Sequence, residues 1–303
     1  MRIAVLDCAS GLTIPTLPTD VTVLSLPAIP TRRDLRPVDE LCADAPAISP
    51  TLEEIAASPS VPHMGAPARI SVGVSLRLVV VGSDAALAAV VTRLMRADYM
   101  WVEVAYVPVS SLSPAAVNWG LSSLSTPELF SLALDGPVRP VPLIRDDRGN
   151  AVAGCAYVSD FPSPTSPAAE SSSPTTPTAG PPSPTELAPP RELAAEIAVD
   201  DVTLLPGPTD GVYGAKLVPE LDAPGLAAVR LVAASERSGF WHRLFSKPAS
   251  NSPQPDPSSL ATGRAMQVGG ENILVTIDGV GRPRPVDRCA FYRHLRDLQA
   301  VRP

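Results

Sequence analysis

The chain has 303 residues, of which 45% are hydrophobic, and a formal net charge of −7. This length allows two modest domains with ample core. The acidic balance speaks against nucleic-acid binding, which needs a basic face to displace counterions from phosphates. No apolar run approaches the length of a membrane span, and the opening MRIAVLD has the pattern of a strand rather than of a signal peptide. We therefore expect a cytoplasmic protein without a transmembrane segment.

The first half of the chain alternates strand-like runs with helices. Strands are predicted at 2–6, 21–26, 78–81 and 102–107, and helices at 50–58, with Thr51 as its cap, and at 85–96. The run Leu78–Val81 is apolar throughout, which is typical of a strand covered on both faces. This alternation predicts a three-layer α/β domain with a parallel sheet, which we place at residues 1–137.

The second half consists of short strand-like runs separated by Gly, Pro or Asp. They lie at 139–145, 151–158, 197–205, 214–218, 227–233, 265–268 and 273–277. The sequence DDRGN at 146–150 is a hairpin turn between the first two. This pattern predicts an antiparallel β domain at residues 138–303, a sandwich or a barrel, of which we choose the sandwich. The last piece, 290–301, is expected to pack back on the first domain.

Proline is the outlier of the composition, with 37 residues. It is concentrated at 161–190 and 246–259, where core-forming side chains are nearly absent. Such segments bury too little apolar surface to offset their ordering entropy, so we predict disordered inserts at about 160–191 and 246–260. Pro-x-x-Pro spacing arises by chance at this density. An interaction protein that works through the first insert stays open as one alternative.

The cysteines and histidines predict no metal site. Cys8, Cys42, Cys155 and Cys289 lie far apart and form no paired metal-binding spacing, and none of the three histidines has a cysteine or carboxylate pattern around it. Reduced, buried thiols are therefore expected.

Three turns follow predicted strands of the first domain, DCASG at 7–11, GSDAAL at 82–87 and PVSSLSP at 108–114. Carboxyl ends of parallel strands share one edge, where open α/β sheets bind their ligands. Asp84 lies just before a helix, where negative charge is favoured. Ser83 or Asp84 also fits a simple N-cap, and the local sequence alone favours that interpretation.

Together with the order of the two domains, these turns resemble the diacylglycerol kinase, sphingosine kinase and NAD kinase superfamily. That family carries Asn-Pro-x-Ser-Gly, Gly-Gly-Asp-Gly-Thr and Pro-x-Gly-Thr-x-Asn-Asp turns. Ser10 and Gly11 keep the end of the first turn, Gly82 and Asp84 keep part of the second, and Pro108 is what remains of the third.

The family's later Asp-Gly-Glu hairpin is matched by Asp278 and Gly279, with Val280 in place of Glu. The resemblance implies a nucleotide or lipid ligand, with ATP and Mg²⁺ as cofactors. It makes Asp84 the catalytic candidate, as a general base on a substrate hydroxyl or as a metal holder.

The candidate nucleotide-binding residues are those that the three turns retain or could use as replacement donors. They are Ser10, Gly11, Gly82, Ser83, Ser110 and Ser111. Each serine also fits an ordinary turn position.

The departures from the family's motifs bear on activity. Ala85 and Ala86 replace Gly and Thr, so a Cβ stands where a backbone would approach phosphates, and a hydroxyl is lost. We therefore expect a degenerate lipid-kinase-like pseudoenzyme that binds a ligand or a partner. The main alternative is an active ATP-dependent kinase that phosphorylates a diacylglycerol or sphingoid hydroxyl. A homodimer and a protein partner stay open.

Two further sequence patterns can be explained by ordinary structural roles. Asp200 and Asp201 could form a carboxylate pair, but adjacent strand residues point to opposite faces, so a β-turn or a solvated edge is favoured. The aromatic and basic stretch WHRLF at 241–245 suggests contact with a lipid surface or a partner, or packing between two loops.

Overall fold

The computed structural model describes residues 1–43, 52–57, 65–70, 75–162, 191–233 and 253–303. Within these ranges the chain forms a five-stranded parallel sheet with helices, followed by a twelve-stranded antiparallel sheet. Each sheet has its own cluster of buried apolar side chains. The predicted fold class, an α/β unit followed by an antiparallel β unit, is confirmed.

The first sheet has the order β17-β4-β3-β1-β2, and all of its pairs are parallel. Its strands are β1 (Arg2–Cys8), β2 (Thr22–Leu26), β3 (Leu76–Gly82), β4 (Glu103–Pro108) and, from the end of the chain, β17 (Gln299–Val301). Every residue of β3 and β4 is buried, as the continuous apolar run in β3 predicted for a central strand.

The helices are α1 (Arg36–Ala43), α2 (Leu52–Ala56), α3 (Asp84–Arg96), α4 (Pro114–Asn118) and α5 (Thr126–Asp135). The predicted cap of α2, Thr51, lies outside the described residues. Helix α5 begins with a capping box in which Glu128 accepts hydrogen bonds from both the amide and the hydroxyl of Ser125. None of the helices in the described ranges is long and apolar enough to cross a membrane.

The second sheet is built around one long strand, β14. Its strands are β5 (Ile144–Asp146), β6 (Ala151–Val152), β7 (Ala156–Asp160), β8 (Ala195–Val199), β9 (Val202–Pro206), β10 (Val212–Pro219), β11 (Leu226–Val232), β12 (Gln254–Pro255), β13 (Ala261–Gly263), β14 (Ala265–Ile277), β15 (Val280–Gly281) and β16 (Val286–Arg293). Strand β14 pairs with β8 along its first half and with β7 along its second half, and a β-bulge separates the two. The sheet can therefore fold over its own core.

Some element predictions are corrected. The predicted strands at 265–268 and 273–277 are one continuous strand, β14. The predicted strand at 197–205 is a hairpin that turns at Asp200 and Asp201, which confirms the expected turn. Residues 290–293, predicted as part of a returning C-terminal piece, belong to β16.

The second predicted disordered insert, about 246–260, is wrong in its later part. Gln254 and Pro255 form β12 against β11, and Pro257–Ser259 form a 3₁₀ turn. Asp256 caps this turn by accepting from the Ser258 amide at 3.0 Å. Residues 246–252, most of the first insert at 163–190 and the WHRLF stretch at 241–245 lie outside the described residues.

The end of the chain returns to the first sheet, where β17 pairs with β4. Asp297 accepts a hydrogen bond from the amide of Ala68, and Gln299 accepts one from the amide of Ile70, both at 3.0 Å. The division at residue 137 stays a prediction. All four cysteines are free and buried, which confirms the expected reduced thiols, and burial raises the pKa of Cys155 to about 11.

Candidate functional site

The structure brings the three predicted turns to one edge of the parallel sheet. Strands β1, β3 and β4 are neighbours, with Asp7 opposite Val81 and Gly82 opposite Pro108. Their carboxyl ends therefore meet at the edge where open α/β sheets bind ligands.

The polar groups of the first turn form hydrogen bonds within the turn itself. The carboxylate of Asp7 accepts hydrogen bonds from the amide and the hydroxyl of Ser10, at 3.1 and 2.7 Å. The Ser10 hydroxyl accepts in turn from the amide of Leu12 at 3.2 Å. Gly11 has a φ of +67° and open space around it, so the glycine serves the turn rather than a close approach.

In the second turn, packing explains the glycine and capping explains the serine. A Cβ on Gly82 would lie 3.0 Å from the Cβ of Cys8 and 3.2 Å from that of Ala86, so a side chain here would push these neighbours by a few tenths of an ångström. The hydroxyl of Ser83 accepts from the amide of Ala86 at 3.2 Å and caps α3. The N-cap interpretation therefore holds for Ser83.

The serines of the third turn act in the same local way. The Ser110 hydroxyl accepts from the amide of Leu112 at 3.2 Å, and Ser113 caps α4 through the amide of Ala116 at 2.9 Å. Ser111 is exposed. The predicted nucleotide-binding serines share an edge, but Ser10, Ser83 and Ser110 accept hydrogen bonds within their own turns.

Asp84 is the first residue of α3, one residue earlier than predicted, and its side chain is turned inward. The residue is 8% exposed. Its carboxylate accepts from the hydroxyl of Tyr106 at 2.8 Å and from the amide of Ala115 at 3.1 Å. Ala115 lies in the first turn of α4, so the carboxylate sits at the amino ends of two helices, where its negative charge is favoured. Burial and the Asp84 charge raise the pKa of Tyr106, so the phenol stays a donor.

Gly154, in the second unit, packs closely against the side chain of Asp84. A Cβ at this position would lie 2.6 Å from Oδ2 of Asp84 and 2.8 Å from the amide nitrogen of Ala115. Only the absence of a side chain allows this approach. The Gly154 carbonyl accepts from the side-chain amide of Asn118 at 3.0 Å, which ties the same point to α4.

A second carboxylate, Asp278, holds the chain around Gly154. It accepts from the amides of Ala153, Gly154 and Cys155, at 2.8, 2.7 and 2.9 Å. Burial raises the pKa of Asp278 to about 7, with a further upward contribution from the Asp84 charge, whereas the three amide hydrogen bonds lower it. We call Asp84, Tyr106, Ala115, Gly154 and Asp278 the Asp84 junction.

The Asp-Gly pair that resembled the family's hairpin has a local explanation. Asp278 and Gly279 form the two-residue turn between β14 and β15, with φ of 49° and 83°. A type I′ turn requires positive φ at both central positions, and Asp-Gly is among its preferred sequences. The backbone geometry alone therefore accounts for this pair.

An open cavity of about 400 Å³ lies between α3 and the second unit. We call it the arginine cavity. Its charged wall consists of Arg32, Arg93, Arg96, Arg148, Arg282 and Asp146, and its apolar wall includes Leu35, Ala85, Ala88, Ala89, Ile277 and Val280. The sequence analysis missed this site, because its residues come from four separate segments and no local motif marks them.

Positive charge exceeds negative charge in this wall. Arg93 forms two hydrogen bonds of 2.7 Å with Asp39. Arg282 donates to Asp146 at 2.8 Å and to Asp147 at 2.7 Å. Within the described ranges, no carboxylate pairs with the other three arginines. They are Arg32, Arg96 and Arg148.

The residues at the sheet edge do not fit a Mg²⁺ site. Each oxygen of Asp84 and Asp278 already accepts a hydrogen bond from an N–H or O–H group. A metal would have to compete with these donors for the same oxygens. In the described part of the chain, no three carboxylate, histidine or cysteine side chains cluster as metal ligands would.

Comparison with solved structures identifies the class of fold. The chain is similar to a diacylglycerol kinase from Bacillus anthracis str. Sterne, with 10% identity, a TM-score of 0.52 and coverage of 99% of this chain and 96% of that one. A putative diacylglycerol kinase from the same strain gives the same values. An NAD kinase from Archaeoglobus fulgidus, in complex with ATP, has 12% identity and a TM-score of 0.41, over 100% of this chain and 94% of that one.

No protein-family model and no curated protein sequence matches the chain. At 10% identity the structural likeness concerns the fold. The chain thus has the two-unit fold of the diacylglycerol kinase structures, and the resemblance drawn from its turns is confirmed at that level.

Proposed function

We propose that this protein is a non-catalytic ligand-binding member of the diacylglycerol kinase-like fold, with its ligand in the cleft between the two units. One observation carries the proposal. Asp84, the carboxylate that the family resemblance makes catalytic, is buried under Gly154 and has both oxygens occupied by donors of its own chain. A general base must be able to reach the proton that it removes.

The local geometry of the second turn supports the same proposal. The Ser83 hydroxyl is engaged in capping α3, and Ala85 and Ala86 carry methyl groups where the family has glycine and threonine. Phosphoryl transfer depends on amides and cations that cradle the phosphates. The turn therefore provides a helix start rather than a phosphate cradle.

The arginine cavity supports the ligand-binding part of the proposal. Its volume of about 400 Å³ lies in the range of small-molecule sites. Residues of both units form its wall, among them Ala88 from α3 and Ile277 from β14. A ligand bound here would contact both units at once.

An active ATP-dependent lipid kinase is the second candidate, and Asp278 is the observation that favours it. Its pKa, raised to about 7, suits a general base at neutral pH, and it lies beside Asp84. For this role the carboxylate would have to release amides that it now binds, for example that of Gly154 at 2.7 Å.

Phosphoryl transfer and ligand binding can be measured separately. The protein is incubated with ATP and Mg²⁺ and with vesicles that contain diacylglycerol or sphingosine, and ADP release and lipid phosphate are quantified. We expect no turnover above that of Asp84→Asn and Asp278→Asn. Lipid phosphorylation that either substitution abolishes would establish the kinase instead.

Thermal-shift titration with ATP, ADP and NAD, with and without Mg²⁺, tests binding. A ligand at one hundred times its Kd stabilises the fold by about 2.7 kcal/mol. We expect any such shift to occur without Mg²⁺, because the carboxylates of the Asp84 junction are already occupied.

A further inference from the structure

We propose that the arginine cavity binds a phosphate monoester with an apolar body, and that the phosphate lies at the 146–150 turn, far from the amino end of α3. The inference rests on the proposed function, since it names the class of ligand for the same cleft. The proposed site differs from that of a nucleotide at a phosphate loop, because the anion would lie at the opposite end of α3.

Three arginines converge on the 146–150 turn. Arg96 donates to the carbonyls of Arg148 and Gly149, each at 2.9 Å. Arg148 belongs to the turn itself, and Arg282 binds its first two carboxylates through Nη2. Asp84 and Arg96 are twelve residues apart in α3, so this end lies about 18 Å along the helix from the Asp84 junction.

The charge at this end is only partly balanced by the protein, because Asp146 and Asp147 both pair with Arg282. Arg96 bonds to neutral oxygens only, the two carbonyls and the side chain of Asn150. Neither Arg148 nor Arg32 pairs with a carboxylate in the part of the chain that the structure describes. Guanidinium groups held together in a cleft raise the local concentration of anions, here within a chain of net charge −7.

Arg282 provides an independent observation. Its side chain is 8% exposed, and Nε and Nη1 have no hydrogen-bond partner among the described residues. Buried donors without acceptors are unfavourable, and Arg282 forms part of the cavity wall. Both atoms are themselves buried, so an anion in the open cavity would stabilise the Arg282 charge electrostatically, without a hydrogen bond to either of these two donors. A phosphate has three oxygens and close to two negative charges at neutral pH, so it can serve several guanidinium groups together.

The apolar wall of the cavity determines which kind of molecular body the phosphate is attached to. The apolar part of the wall includes Ala85 and Ala88, in the first half of α3, together with Ile277 and Val280. A hydrocarbon chain or a planar ring fits such a surface, and burial of its apolar area adds affinity. An alkyl phosphate and a nucleoside monophosphate both present this chemistry.

Titration calorimetry on the full chain tests the inference with four probes. Hexyl phosphate and AMP carry both features, whereas inorganic phosphate lacks the body and hexanol lacks the charge. We expect hexyl phosphate or AMP to bind at least tenfold more tightly than either partial probe. Preference for one of the two identifies a lipid-like or a nucleotide-like source. Hexanol that binds as tightly as hexyl phosphate would overturn the proposal. The absence of binding by both hexyl phosphate and AMP at millimolar concentration would also overturn it.

Two variants and a control locate the phosphate. Arg148→Gln removes an exposed guanidinium that forms no side-chain hydrogen bond with the described residues, so the fold should persist. We expect it to weaken the better complete probe by about tenfold, and Arg32→Gln by a smaller factor. Arg33→Gln, an adjacent exposed arginine outside the cavity wall, should leave affinity unchanged.

Equal affinities for Arg148→Gln and Arg33→Gln would refute the site at the 146–150 turn. This outcome is distinct from failure of the proposed function. Detection of lipid kinase activity would refute the proposed function. The effect of Arg148→Gln on phosphate binding would still test the site at the 146–150 turn.

Discussion

The two places where the units meet differ in how their polar groups are satisfied. At the Asp84 junction, every carboxylate oxygen of Asp84 and Asp278 accepts a hydrogen bond, and Gly154 leaves no room for a side chain. In the wall of the arginine cavity, arginines outnumber carboxylates, and two buried donors of Arg282 have no partner among the described residues. Asp84, which the family motif marks as catalytic, is thus part of the packing between the units. Arginines that belong to no motif form part of the wall of the open cavity.

This difference separates two roles that a sequence motif combines. Buried polar groups with complete hydrogen bonding specify how two surfaces fit and stabilise that fit. Unbalanced charge beside an open cavity contributes little to stability and is available to a ligand. Substitutions at the junction should therefore change mainly the free energy of unfolding, and substitutions in the cavity mainly affinity.

Removal of Asp278 should have the largest effect. Asp278→Ala leaves three buried amides without their acceptor, those of Ala153, Gly154 and Cys155. We expect a loss of about 3–5 kcal/mol in the free energy of unfolding, measured by urea denaturation. Asp278→Asn should lose less, because its amide oxygen still accepts and asparagine tolerates the φ of 49°. A change within about 0.5 kcal/mol for Asp278→Ala would contradict the structural role.

A matched pair of glycine substitutions compares the two regions directly. Gly154→Ala places a Cβ 2.6 Å from Asp84 Oδ2, whereas a Cβ on Gly281, in the cavity wall, would lie 3.6 Å from its nearest neighbour, Leu274. We expect Gly154→Ala to lose about 1–3 kcal/mol and Gly281→Ala to stay within about 0.5 kcal/mol. Equal unfolding midpoints for the two variants would remove the distinction.

The elements that sequence patterns predicted well are those with local signals. The apolar run in β3, the Ser83 cap of α3 and the turn at Asp200 and Asp201 each depend on a few adjacent residues. Helix α5 also carried a local signal, the capping box of Ser125 and Glu128, which the sequence analysis did not use.

The errors arise where distant contacts decide. Gln254 and Pro255 lie in a proline-rich stretch, yet they pair with β11 and form a short edge strand. Strand β16 alternates buried residues such as Cys289 and Phe291 with more exposed ones, a weaker signal than a continuous apolar run. The arginine cavity is assembled from four segments, so its charge surplus exists only in the folded chain.

The pH dependence of stability gives the most selective effect. The pKa of Asp278 is raised to about 7 in the folded chain, above its ordinary value of 3.8, so the folded state binds the proton more tightly. This contribution to stability is complete below pH 4 and is lost as pH rises through 7. Between pH 5 and 7, stability should therefore fall with rising pH, by at most about 1.4 kcal/mol per unit.

Urea denaturation at half-unit steps of pH measures this slope, with Asp278→Asn as the reference that lacks the titrating group. Burial also raises the pKa of Glu220, and subtraction of the Asp278→Asn profile removes that shared contribution. Wild type that gains stability relative to Asp278→Asn as pH rises from 5 to 7 would contradict the assignment. The guanidinium groups of the arginine cavity keep their charge throughout this range. Arg148→Gln should therefore reproduce the wild-type slope, so that a proton at the Asp84 junction and an anion in the cavity are separable in one protein.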